Sequence, residues 1–139
     1  MKKLIIIVAL VGFAGLPALH AQQNAEDIID VFFDTFKVDM NKAIDYLFST
    51  NELIAPNQDG IRSIKERLEV SRKLLGNYYG YELMKLEYAG DSYRRYTYML
   101  RYDRQPVKII IVMYKPNDKW KVQNLNFEDK MEESFETAH

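Results

Sequence analysis

Apolar positions along this chain follow two different rhythms. Between residues 25 and 75 they recur every three or four positions, and from Tyr78 onward they alternate. The first rhythm is that of amphipathic helices and the second that of strands with one buried face. Ile28, Ile29, Phe32, Phe33 and Phe36 predict a helix from Ala25 to Lys37, capped by Asn24, with Glu26 and Asp27 in the first turn where the helix dipole favours acids. Met40, Ala43, Ile44, Leu47 and Phe48 predict a second helix, capped by Asp39 and ending near Ser49-Thr50-Asn51. Ile61, Ile64, Leu68 and Leu75 predict a third, from Gly60 to Leu75, capped by Asp59 and stopped by Gly76-Asn77.

Residues 78 to 127 hold four strand-like runs separated by three turn signals, with nine of the ten tyrosines and the single tryptophan. In the second run Tyr96, Tyr98, Leu100 and Tyr102 alternate with Arg95, Thr97, Met99 and Arg101; the third, Val107 to Tyr114, is apolar on both faces except at Lys108, as expected of a central strand. A turn at Arg104-Gln105 sets Tyr102 opposite Val107, Leu100 opposite Ile109, Tyr98 opposite Ile111 and Tyr96 opposite Met113. The last run has two readings. A plain alternation turns Trp120, Val122, Asn124 and Asn126 inward, whereas a bulge turns in Leu125 and Phe127; the first is preferred for Trp120 and Val122. In the first run Tyr79, Tyr81 and Leu83 compete with Met84, Leu86 and Tyr88 for the inner face, and the pattern does not separate them. The order of elements predicts an α+β fold: three N-terminal helices packed in the concave face of a curved four-stranded antiparallel sheet.

Lys2 and Lys3, an uncharged run from Leu4 to Leu16, Pro17 and then Ala18-Leu19-His20-Ala21 have the layout of a secretory signal peptide. The apolar run is shorter than the roughly 20 residues of a membrane-spanning helix. The expectation is a leader over residues 1–21, a single domain over 22–139 with an acidic C-terminal tail, a periplasmic or secreted location, and no stable membrane anchor after processing. Losing the leader leaves 17 basic against 20 acidic residues, a formal charge of −3 that gives no bulk attraction to nucleic acid.

The chain contains no cysteine, and its two histidines fall in the leader and at the last position. An exported chain of this kind has no disulfide, no thiol nucleophile, no imidazole base and no multi-histidine zinc site inside its fold. Asp30 and Asp34, one turn apart on the first helix, read as a solvated face rather than a cation site. No catalytic residue, cofactor or metal ligand is assigned.

Three helices followed by a long meander that closes on Trp120-Lys121-Val122-Gln123-Asn124-Leu125-Asn126-Phe127 resemble the nuclear transport factor 2-like superfamily over residues 25 to 128. The resemblance implies a sheet wrapped round the helices into a cone with a pocket at its open end. It also implies a choice of roles, since that superfamily holds steroid isomerases, scytalone dehydratase and limonene epoxide hydrolase beside many domains with no known reaction. Its enzymes place Asp, His or Tyr inside the cone; here Glu82 or Glu87 faces inward depending on the first-strand register.

The inner row Tyr96, Tyr98 and Tyr102 with Asn124 and Asn126 is the candidate pocket lining, offering hydroxyl and amide hydrogen bonds on an apolar wall; core packing is the alternative for the tyrosines. The opposite face sets Arg95, Arg101, Lys108 and Lys121 round Thr97, Met99, Ile110, Val112 and Tyr114, a surface suited to homodimer pairing. The expected function is a non-catalytic exported module binding a small apolar or peptide-like ligand or a protein partner. The alternatives are an isomerase or lyase using Tyr and a carboxylate, and a structural dimerising domain.

Overall fold

The computed structural model describes residues 23–138, so the leader expected over 1–21 lies outside the described residues. Three helices precede four strands: α1 Ala25–Phe36, α2 Met40–Ser49, α3 Gln58–Leu75, β1 Tyr78–Tyr88, β2 Tyr93–Tyr102, β3 Val107–Tyr114 and β4 Lys121–Glu128. The strands form one open antiparallel sheet in the order β1-β2-β3-β4, an α+β architecture with helices first, as the sequence predicts.

Local chemistry sets the helix ends. At the start of α1, the Asn24 backbone N–H donates to Asp27 Oδ2 at 3.0 Å, and Asp39 Oδ1 caps α2 by accepting from the Lys42 N–H at 3.0 Å. The third helix starts earlier than expected: Asn57, not Asp59, is its cap, accepting from the Gly60 N–H at 3.2 Å. It ends at Gly76, whose φ of 83° suits glycine and where a Cβ would fall 2.6 Å from Asp103 Oδ2.

The helices cover one face of the sheet. Phe33 of α1 meets Tyr98 edge-on at 4.8 Å between ring centroids and stacks on Tyr81 at 3.8 Å, while Phe36 meets Tyr78 at 5.4 Å. At the other side, the α2 terminus is stitched to β4: Asn51 Nδ2 donates to the Val122 carbonyl at 2.7 Å, and the Val122 N–H donates to Thr50 Oγ1 at 3.0 Å. Ile28, Phe32, Ile44, Leu47, Leu100, Ile109, Ile111, Met113 and Val122 are all at most 2% exposed and form the core between these layers.

One strand register differs from the sequence reading, and two that it left open are resolved by bulges. The β2–β3 hairpin is longer by two residues, pairing Leu100 with Val107, Tyr98 with Ile109 and Tyr96 with Ile111. The cause lies in the turn: Asp103 N–H donates to the Asn77 carbonyl and Arg104 N–H to the Leu75 carbonyl, so the end of β2 follows β1 rather than β3. A shift of two preserves which side chains face inward.

In β4 an irregularity between Val112 and Met113 leaves Gln123 as the extra residue. Trp120 and Val122 face the core as expected, and Leu125 and Phe127 then do so too. In β1 there are two such shifts, next to Tyr79 and Met84, so that Tyr81 and Leu83 share the inner face with Leu86 and Tyr88. Members of both competing sets therefore turn to the helix side, because each bulge resets the alternation, although Tyr81, Leu83 and Tyr88 stay exposed there.

Candidate functional site

The five residues expected to line one pocket are not brought together. Tyr96 is 1% exposed, and its hydroxyl donates to Glu26 Oε1 at 2.6 Å. Arg94 Nη1 donates to both Glu26 oxygens, at 3.0 and 3.3 Å, and its guanidinium lies 4.5 Å from the Trp120 ring and 5.4 Å from that of Tyr88. Tyr98 is buried between Phe33 and Tyr96, whose ring runs parallel to its own at 6.3 Å. These two tyrosines are core, pinning the first turn of α1, through Glu26, and its last, through Phe33, to the sheet.

Asn124 and Asn126 correct the expectation most clearly. Both are exposed on the outer face, in register with Val112 and Ile110, because the extra residue at Gln123 rotates everything after it by one position. A buried amide without partners is costly, and the bulge places aliphatic and aromatic side chains inside instead.

Of the three tyrosines, Tyr102 alone borders open space. It meets Tyr78 at 5.4 Å and lines a recess of about 340 Å³ with Phe36, Met40, Glu69 and Arg72. The Arg72 guanidinium is held in a two-bond pairing with Glu69 at 2.8 and 3.2 Å, while Lys37 and Asp39, which also line the recess, pair outside it with Asp34 and Lys42.

The larger opening lies elsewhere, between the last turns of α3 and the ends of β3 and β4. It is a groove of about 630 Å³ whose floor is Leu75, Val107 and Phe127, and whose helical wall is Arg67, Val70, Ser71 and Leu74. Its origin is visible in the helix. The core row Ile61, Ile64, Leu68 and Leu75 has Ser71 and Arg72 where the next inward residue belongs, so no apolar side chain ties the helix to the sheet between Leu68 and Leu75. Val70 and Leu74 remain 60% and 63% exposed beside that gap. Arg67 lies 4.8 Å from the Phe127 ring centroid, a cation over the groove floor. The interruption at Ser71 is the sequence signal that could have located this site.

The carboxylates that an enzyme would need are not gathered in a pocket. Glu82 and Glu87 pair in register with Met99 and Arg95 on the outer face, where Glu87 binds Arg95 at 2.6 and 2.9 Å. Asp34 and Asp45 are exposed, the latter paired with Lys65. Two tyrosine–carboxylate pairs occur among the described residues: Tyr79 with Asp103 lies exposed at the surface, and the part-buried Tyr96 with Glu26 is tuned away from proton exchange. Burial and the Glu26 hydrogen bond push Tyr96 up to about 12; at Glu26 burial is outweighed by the Tyr96 hydrogen bond and the Arg94 charge, so its pKa is lowered. Among the described residues no group of three or more His, Asp or Glu side chains is placed to hold a metal ion.

Comparison with family models, with curated proteins and with solved structures finds no match to this chain.

Proposed function

We propose that this chain is an exported, non-catalytic binding module of nuclear transport factor 2-like design, and that its ligand, a small apolar molecule or an apolar peptide side chain, occupies the α3 groove. The observation that carries the reading is a cleft of ligand-like volume with an aromatic and aliphatic floor, flanked by two bare aliphatic residues, Val70 and Leu74. Tyr96 and Tyr98 are spent on packing, and Tyr96 and Glu26 have acidities too far from neutral to trade a proton there.

Titration with the apolar fluorophore 1-anilinonaphthalene-8-sulfonate tests this. One saturable site is expected, lost in Leu74→Glu while the thermal unfolding midpoint stays in place, because Leu74 is outside the core. Binding that survives Leu74→Glu and Phe127→Ala would overturn the assignment.

A second reading, self-association through the outer sheet face, draws on the half-covered Thr97, Met99 and Ile110, neighbours across β2 and β3, with half-covered Tyr114 further along β3 opposite Tyr93. Sedimentation velocity over a concentration series, repeated with Met99→Glu, distinguishes a dimer on that face from a monomer.

A further inference from the structure

We infer that the α3 groove is gated by the chain's own C-terminal segment, with Phe135 as the plug and Glu132, Glu133 and Glu136 as its electrostatic guides. This rests on the reading of the groove as a binding site and adds a means of regulating it. Two apolar surfaces at the same end of the sheet are uncovered among the described residues: the Val70–Leu74 wall, and Phe135, which is 83% exposed. The chain leaves β4 through Glu128 and Asp129, both of which line the groove. From Asp129 to Phe135 is six residues, a reach of about 20 Å when extended, more than a groove of this size requires.

Charge favours the same match. Arg67 and Arg104 border the groove, and neither is in an ion pair among the described residues, whereas Glu128 is paired with Lys108 at 3.4 Å. Glu66 and Asp129 also line it, so the attraction is local to the two arginines rather than a net field. A segment reading Glu132-Glu133-Ser134-Phe135-Glu136 presents an aromatic side chain bracketed by carboxylates, complementary to an apolar floor bracketed by guanidinium groups. In the structure the segment is parked outside, where the described hydrogen bond from another element is Lys108 Nζ to Ser134 Oγ at 3.3 Å. Exchange between parked and plugged positions breaks that bond and leaves Lys108, 8% exposed, to its pair with Glu128.

The absence of cysteine allows a direct test. Val70→Cys combined with Glu136→Cys is expected to form an intramolecular disulfide about tenfold faster than the comparison pair Asp91→Cys with Glu136→Cys, Asp91 being exposed in the distant β1–β2 turn, and adding Phe135→Ala should erase the difference. Equal rates for the two pairs, or cross-linking only between molecules, would overturn the plug. In the cysteine-free chain, Phe135→Ala should tighten anilinonaphthalene sulfonate binding about threefold, as expected when a competing closed state holds roughly two thirds of the molecules. Unchanged affinity removes the plug and leaves the groove standing. No binding to either chain removes the groove reading itself.

Discussion

The Tyr96 hydroxyl and Glu26 Oε1 lie 2.6 Å apart although 70 positions separate them in the chain. This bond joins the first turn of α1 to the middle of the sheet, and Arg94 closes it from the side. Tyr96→Phe removes the donor and keeps the ring. A loss of about 1 kcal/mol in chemical denaturation is expected, at the low end for a hydrogen bond to a charged group because Glu26 is half exposed. Glu26→Gln should cost a similar amount, and the double variant should cost less than the sum. Strict additivity would show that the two groups do not act together.

Stability should fall on both sides of neutrality. Glu26 and Asp103 have lowered pKa values, the latter through the Tyr79 hydroxyl and the Asn77 N–H, and the hydrogen bond from Arg95 holds Glu87 down at about 2. Carboxylates depressed in the folded chain stabilise it above their ordinary range and lose that contribution as pH falls through the folded values. The unfolding midpoint should therefore be flat from about pH 7 to 5 and fall from about 4.5 to 2, with a shallower fall in 1 M salt. Tyr96 has the opposite sign: its contribution is complete below the ordinary tyrosine value of 10 and disappears as pH rises through about 12. A midpoint independent of pH from 5 down to 2 would contradict the carboxylate pairings.

The bulge at Gln123 can be checked by neighbours with opposite fates. Asn126→Ala should change stability by less than about 0.5 kcal/mol, as expected for an exposed side chain. Leu125→Ala should cost about 2–4 kcal/mol, since Leu125 is 5% exposed and sits opposite Ile111. Unbroken alternation would reverse the order.

Asn51 is 3% exposed and uses both ends of its amide, donating to the Val122 carbonyl and accepting from the Leu53 N–H at 3.1 Å. Asn51→Ala should cost about 1–3 kcal/mol by orphaning buried backbone groups. Hydrogen exchange should quicken at Leu53 and along β4 in that variant, and unchanged exchange would argue against the stitch.

How far the sequence discloses this arrangement depends on spacing. Helices were legible because their apolar stripes and two of their caps, Asn24 and Asp39, sit where the periodicity begins. The parity of β2 and β3 was legible as well, although a turn tied to Leu75 and Asn77 by long-range hydrogen bonds moved the register by two. Bulges were harder. Leu83 and Leu86 in β1, like Val122 and Leu125 in β4, are helix-side residues three positions apart, a spacing that fits no unbroken strand; for β4 the sequence offered the bulge as its second reading, and for β1 it left the two sets unseparated. The candidate site was missed because attention to tyrosine hydroxyls favours residues with chemistry to offer. The α3 groove instead arises from a missing apolar residue at Ser71, which shows only when the helix is counted turn by turn.

The stitches from Thr50 and Asn51 to Val122 also bear on how the protein would fail. A bare border of a sheet is an invitation for another chain to dock strand against strand. One border here is occupied by side chains of the α2 terminus, and the opposite one is thrown out of line twice, beside Tyr79 and Met84. A variant that loses Asn51 would thus expose a template as well as weaken a fold, so its damage should grow with protein concentration.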